Sequence, residues 1–293
     1  MQKIRIFCDT SSDISKDLAK ELDIEMFPIP VTWGDKSLED GVDYTYEEFW
    51  KLLEGTKVMP TTSHISLDTT SKAYLKAYED GCEAVIHVTN NSKNSGMFNT
   101  ANIAKKFFFE EHPEAVGKFR IEPVDSHTFT LAYALPVIYG ARLRNNGGSV
   151  DEILELMDEV VHRAEIYMVV YDLKFARMSG RISAASAILG GALGIRPIMS
   201  MIHGETATLE KLRGDSKVVP ALVKAVQDNM DPKFDEYVVV RGTPEEEAKL
   251  LEKEVGKATK MKSLGIYKLG AAVGINVGPK AMAVIILGKD RRK

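Results

Sequence analysis

In the first half of the chain, apolar and polar positions alternate in blocks. The apolar runs KIRIFC (Lys3–Cys8), AVIHVT (Ala84–Thr89) and FRIEPV (Phe119–Val124) read as buried strands. Between them, SKDLAKELDI (Ser15–Ile24), LDTTSKAYLKAYEDG (Leu67–Gly81) and MFNTANIAKKFFFEE (Met97–Glu111) read as helices. EMFPIPVTW (Glu25–Trp33) is extended and interrupted by prolines. Thr45 followed by Glu48 forms a capping box that opens EEFWKLLEG (Glu47–Gly55). TLAYALPVIYGARLRNNGG (Thr130–Gly148) is a long helix, expected to kink at Pro136 and to stop at its glycines. Short strands alternating with helices predict a parallel sheet covered on both faces.

The second half has a different pattern. Ser149 and Glu152 form another capping box, opening VDEILELMDEVVHRA (Val150–Ala164). IYMVVYDL (Ile166–Leu173) is a strand, and IRPIMSMIHGETATLEKL (Ile195–Leu212) reads as a hairpin turning at His203-Gly204. SKVVPALVKAVQDNM (Ser216–Met230) and PEEEAKLLEKEVGKA (Pro244–Ala258) are amphipathic helices. EYVVVRG (Glu236–Gly242), KSLGIYKL (Lys262–Leu269) and MAVIILGK (Met282–Lys289) are strands. Adjacent strand pairs mixed with helices predict a mixed sheet. The expectation is an α/β protein of two domains, 1–148 with a parallel sheet and 149–293 with a mixed sheet, divided near Gly147–Ser149.

Composition narrows the classes. The chain has 293 residues, 44% hydrophobic and 27% charged, with a formal net charge of −4. That balance favours neither nucleic acid nor an anionic membrane as a partner. Cys8 and Cys82 lie far apart, which predicts no disulfide framework and a reducing, cytoplasmic setting. The N-terminus has no apolar core of signal length, and the weakly polar run Ile182–Ile195 is too short and glycine-rich to span a bilayer.

The chemistry concentrates in hydroxyl-rich segments between strand ends and helix starts. CDTSSD (Cys8–Asp13), TNNSKNSG (Thr89–Gly96) and VDSHT (Val124–Thr128) each follow a strand, and PTTSHIS (Pro60–Ser66) precedes a helix. Ligands of open parallel sheets bind beyond the carboxyl ends of the strands, where helix N-termini add free N–H groups. Such a rim suits a carboxylate or phosphate without cationic side chains. The competing reading is local, because Ser, Thr, Asn and Asp are ordinary caps and turn residues. Familiar catalytic devices are missing: the chain has no G-x-x-x-x-G-K-S/T, no G-x-G-x-x-G after a strand and no G-x-S-x-G. Its six histidines show no metal spacing, so no metal is expected. Only His64 and His127 fall in hydroxyl segments.

Taken together, these segments resemble the DegV family of bacterial fatty-acid-binding proteins. IFCDTSSDIS resembles the opening D-S-x-x-D segment, and PTTSHIS resembles the T-S-x-P-S loop. NSKNSGMFNTA resembles S-x-L-S-G-T-x-x-x-A, and VDSHTFT resembles the D-S segment ahead of the long helix. The block from Ser179 to Gly214 resembles G-G-R-I-S … I-K-P-I-L … G … K-x-R, and VGINVGPKAMAV resembles the closing G-x-H-x-G-P-G-A. The match keeps order and spacing over nearly the whole chain.

The resemblance implies a long-chain fatty acid buried between two α/β domains, bound as a ligand without cofactor or catalysis by this chain. It places the carboxylate on Thr62 and Ser95, with Ser63, Gly96, Asn276 and Gly278 in the same motifs and His64, Asp125, Ser126 and Lys280 as further rim candidates. It implies an ATP-dependent kinase subunit as a partner that receives the carboxylate. Four positions depart from the pattern. Asn276 stands for the closing histidine, Lys280 for a glycine, Ile65 for a proline, and Asn94-Ser95-Gly96-Met97 for L-S-G-T. Phe27, Phe98, Phe129 and Ile275 are candidate tunnel-wall residues, although ordinary core accounts for each of them better; Leu189 and Leu193 are candidates too, with close helix packing at Gly190, Gly191 and Gly194 as the equal alternative. Arg181, Arg196, Lys211 and Arg213 are a candidate partner face. In this reading each buried CH₂ contributes about 0.8 kcal/mol, so the tail dominates affinity and the hydroxyls set orientation. The alternative is a phosphotransfer or acyl-transfer enzyme that uses the hydroxyl rim.

Overall fold

The computed structural model describes residues 3–56, 58–182 and 194–292. A four-stranded parallel sheet is built from β1 (Ile4–Asp9), β2 (Ile24–Phe27), β6 (Ala84–Thr89) and β7 (Arg120–Asp125), in the order β2-β1-β6-β7. Every residue of β6 is buried, as expected for a strand covered on both faces. Helices α1 (Lys16–Glu21), α3 (Leu67–Glu79) and α4 (Met97–Glu111) lie between these strands in the chain. The proline-interrupted stretch does more than run extended. It continues as β3 (Pro30–Trp33), which pairs antiparallel with β4 (Lys36–Glu39) and β5 (Thr61–Thr62) in a small separate sheet. The loop from β5 to α3 thereby lies over the rim of the parallel sheet.

A six-stranded mixed sheet follows. It contains β8 (Ala164–Val170), β9 (Ile195–Ile202), β10 (Glu205–Arg213), β11 (Glu236–Arg241), β12 (Lys262–Lys268) and β13 (Ala281–Leu287), in the order β10-β9-β8-β13-β11-β12. Only β11–β12 is parallel. The β9–β10 hairpin turns at His203 (φ 49°) and Gly204 (φ 77°), the positive pair that a tight two-residue hairpin requires. Helices α8 (Val218–Asn229) and α9 (Glu245–Thr259) pack on this sheet.

Helix α5 (Thr130–Asn145) touches strands of both sheets, which explains why it is apolar nearly all round. It runs as one element with Pro136 buried inside it. Helix α6 (Val150–Arg163) packs on α5 so closely that a Cβ at Gly140 would lie 2.1 Å from Met157 Cε. Both expected capping boxes form: at the start of α2 (Tyr46–Gly55) Glu48 N–H donates to Thr45 Oγ1 at 3.3 Å, and at the start of α6 Glu152 N–H donates to Ser149 Oγ at 3.4 Å. One buried cluster joins the two sheets, running from Ile6 and Ile86 through Tyr133 and Val137 to Met168 and Ala283.

Two short helices had no counterpart in the sequence pattern, α7 (Leu173–Ser179) and α10 (Ala271–Val277). Helix α10 (AAVGINV) carries no amphipathic period and is almost wholly buried. Its N-terminal amides are satisfied from the other half of the molecule: Gly270 N–H donates to Asp13 Oδ1 at 2.9 Å and Ala272 N–H to Asp40 Oδ2 at 3.4 Å.

Candidate functional site

The order β2-β1-β6-β7 reverses direction between β1 and β6. The loops after those two strands therefore diverge and leave a crevice at the carboxyl ends, where open α/β sheets bind ligands. Ser11 follows β1 and Asn90 follows β6, and they meet there: Asn90 Nδ2 donates to Ser11 Oγ at 3.0 Å. A cleft of about 320 Å³ opens at this point, within the usual size range of small-molecule sites.

Five groups of residues form its walls. Thr62, Ser63 and His64 come from the end of β5 and the loop after it. Asn91, Asn94, Ser95 and Gly96 come from the β6–α4 loop, and Thr128 and Phe129 from the β7–α5 loop. Arg181 and Ile182 follow α7, and Ala272, Val273, Asn276 and Val277 belong to α10. Of the described lining residues, Arg181 alone carries a fixed charge, and it sits exposed at the mouth.

The polar wall is held from behind. Asn91 Nδ2 donates to Gly204 O at 2.8 Å, so the β9–β10 turn braces the loop that carries Ser95. Asn94 Nδ2 donates to Arg181 O at 2.6 Å. Ser95 Oγ accepts from Met97 N–H at 3.3 Å. Gly96 caps α4 without a side chain, and the first turn has no acid, so apart from the Met97 N–H taken by Ser95 the helix's positive end is available to an anion.

Three buried carboxyls lie behind the cleft. Burial pushes Asp9 up to about 6, against hydrogen bonds from Ser11 and Tyr133. Burial likewise pushes Asp13 up to about 8, with Thr130 and Gly270 opposing it and Asp40 adding repulsion. Burial also raises Asp40, against hydrogen bonds that include Thr10 and Ala272. Among the described residues, no group of His, Cys, Asp and Glu is placed to hold a metal ion. No described helix is long and apolar enough to cross a membrane.

Several candidates fall outside the cleft. Phe27 packs edge-on to Phe7 at 5.4 Å in the core, and Phe98 is half-buried on α4, off the cleft. Ile275 belongs to the main core, because α10 turns Ala272, Val273, Asn276 and Val277 to the cleft instead. Gly278 (φ 80°) faces Phe175 instead, where a Cβ would lie 2.5 Å from the ring. Lys280 is exposed, and its carbonyl accepts from Tyr171 N–H at 2.8 Å. Ser126 is buried beside a second cleft of about 190 Å³. Asp125 is taken up by His127, with Nδ1 at 3.1 Å from Oδ2. Burial works to raise Asp125, yet bonds from His127 and Ser92 bring it below the usual carboxylate range. The basic face divides. Arg196 pairs with Asp215 at 2.6 Å and stands opposite Leu212, whereas Lys211 and Arg213 alternate to the other side of β10. Leu189 and Leu193 lie outside the described residues, as do Gly190 and Gly191.

Ser11, Asn90, Asn91 and Thr128 lie in the hydroxyl and amide segments, but nothing in the sequence distinguishes them there from ordinary turn residues. Ala272, Val273 and Val277 gave no signal, since small apolar residues of an unpredicted helix look like core.

The family model described as "Uncharacterised protein, DegV family" matches residues 3–289. The chain belongs to the DegV family. A DegV domain-containing protein of Caldanaerobacter subterraneus subsp. tengcongensis is 31% identical over 288 residues, covering 97% of this chain and 98% of that relative. A stearic-acid-binding protein of Eubacterium ventriosum superposes with a TM-score of 0.85 at 26% identity, covering 98% of both chains. A DegV lipid-binding protein of Thermotoga maritima gives a TM-score of 0.83 at 25% identity, covering 99% of this chain and 100% of that one. Both superpose over nearly the whole of this chain, and they are named as a lipid-binding and a stearic-acid-binding protein.

Proposed function

We propose that this chain binds a long-chain fatty acid, with its carboxylate at the hydroxyl-lined wall and its tail directed between the two sheets. The observation that carries the reading is the mixed lining of the cleft. Thr62, Ser63, Asn91 and Ser95 supply polar side chains from the loops at the sheet rim, whereas Val273 and Val277 of α10 and Phe129 of the β7–α5 loop supply apolar ones. Phe129, Val273 and Val277 also border a narrow apolar gap of about 20 Å³ against Ile166, Val240 and Ala283. A tail entering there would pass from the cleft into the region joining the sheets. Stearic acid in the Eubacterium ventriosum protein supports the ligand class.

The anion would be held by neutral donors, the Thr62 and Ser95 hydroxyls and the open end of α4, with Arg181 at the mouth. Hydrogen bonds to a charged group are worth about 1.5–3 kcal/mol each, enough to offset much of the cost of burying one carboxylate. Asn276 donates through Nδ2 to Ala272 O at 2.9 Å, so one of its amide hydrogens is committed to its own helix. Residues 1–148 and 149–293 are proposed as the two domains that bound the cleft. A cytoplasmic setting fits two buried free cysteines, and the family resemblance supplies an ATP-dependent kinase subunit as the receiving partner. The test is the double variant Thr62→Ala, Ser95→Ala. Fatty acid retained through purification should fall several-fold with the thermal midpoint little changed, and full retention would rule these two residues out as anchors.

A further inference from the structure

Buried side-chain atoms without a hydrogen-bond partner occur in His87, Asn90, Thr128, Tyr171 and Ser200. Of these residues, only Asn90 and Thr128 line the cleft. Their chemistry separates them. Asn90 Nδ2 donates to Ser11 Oγ, whose own hydrogen goes to Asp9 Oδ1. The unpaired atom of Asn90 is thus a carbonyl oxygen, which only accepts and does nothing for a carboxylate. The unpaired atom of Thr128 is a hydroxyl, which donates.

The backbone of Thr128 is fully engaged. Its carbonyl accepts from Asn91 N–H at 3.0 Å and Ser126 Oγ at 3.2 Å, and its N–H donates to Ser126 Oγ at 3.4 Å. The residue is 3% exposed, so bulk water does not serve the hydroxyl. A buried donor left unpaired keeps its full desolvation cost, which a ligand acceptor would relieve.

The loop around it is strained. His127 (φ 55°) and Thr130 (φ 52°) both adopt left-handed backbone, an outlier for a β-branched threonine. Thr130 is held there by burial and by donating Oγ1 to Asp13 Oδ2. The two left-handed residues bracket Thr128 and Phe129, and both bracketed residues line the cleft.

Resting on the fatty-acid reading, we infer that Thr128 is a further head-group ligand, donating its unpaired hydroxyl to the carboxylate from the β7–α5 loop. The oxygen reaches the cleft by rotation about χ1 among its staggered positions. Asp13 and Thr130 position it by fixing the loop.

The experiment compares wild type, Thr128→Val and Thr128→Ser after delipidation, by titration calorimetry with stearate and by thermal denaturation. Valine keeps the shape and removes the hydroxyl. The expected result is stearate binding roughly ten- to a hundred-fold weaker in the valine variant. Serine should restore it, and the ligand-free thermal midpoint of the valine variant should be unchanged or higher, since an unpaired buried group is gone. Equal stearate affinity in wild type and the valine variant would overturn the inference, including the case in which the hydroxyl serves the second cleft that Thr128 also borders. A lowered ligand-free midpoint with unchanged affinity would make the hydroxyl purely structural. Wild type that binds no stearate would instead remove the fatty-acid reading itself.

Discussion

Asp13 and Gly270 lie 257 residues apart in the chain and are joined by a hydrogen bond of 2.9 Å, from the Gly270 N–H to Asp13 Oδ1. This bond fastens the start of α10 to the loop after β1, and α10 is the apolar wall of the cleft. Replacing Asp13 by alanine would strand the Gly270 amide and the Thr130 hydroxyl in a buried site. The expected cost is about 2–4 kcal/mol in urea denaturation, accompanied by weaker fatty-acid retention. With its pKa pushed up to about 8, Asp13 is mostly protonated at pH 7, so asparagine is a fair substitute. Asp13→Asn should lose less than half as much stability as Asp13→Ala.

The same carboxyls give a sign to the pH dependence. Burial raises Asp9 to about 6, Glu165 to about 7 and Asp13 to about 8, so each holds its proton in the folded state after the unfolded chain has released it. Their contribution is full below the ordinary carboxylate range of about 4 and is lost as pH rises through these values. His87 works the other way below neutrality. Burial lowers it to about 3, so stability gains from this ring as pH rises from about 3 to about 6.5. Above that point the raised carboxyls set the slope, with the same sign from His127, which Asp125 raises, and from the buried thiols of Cys8 and Cys82 at the upper end. The thermal midpoint of ligand-free protein should therefore fall between about pH 6.5 and 8.5, and Asp13→Asn should flatten the upper part of the fall. A midpoint rising across that window would contradict the assignment.

Helix α10 also rests on an aromatic ring. A Cβ at Gly274 would lie 2.2 Å from Trp50 Cη2. Gly274→Ala should destabilise by about 1–3 kcal/mol through overpacking, and should shift α10 enough to reduce retention of the acid. Adding Trp50→Leu, which removes the obstructing ring, should recover part of the loss. Additive costs in the double variant would show that the two sites do not meet.

What could be read in the sequence divides along physical lines. Strands such as Ala84–Thr89 and helices such as Leu67–Glu79 announce themselves by period and cap, because local burial decides them. The hydroxyl segments marked the rim, since turn chemistry and strand ends are local. Helix α10 was invisible because its amides are capped by Asp13 and Asp40 and its glycine packs on Trp50, all of them more than two hundred residues away. The division of the basic face had the same origin: only the β9–β10 register sets Arg196 opposite Leu212. Thr128 is silent in the sequence because the positive φ at His127 and Thr130 that sets its loop is a tertiary effect, above all for the β-branched Thr130.

The most direct measurement is native mass spectrometry of the purified chain, followed by denaturation, extraction and identification of whatever is released. The account predicts a mass excess equal to one long-chain fatty acid per chain, recovered as the free acid after denaturation. A chain that is unliganded as purified, and that takes up no stearate when it is offered, would contradict it.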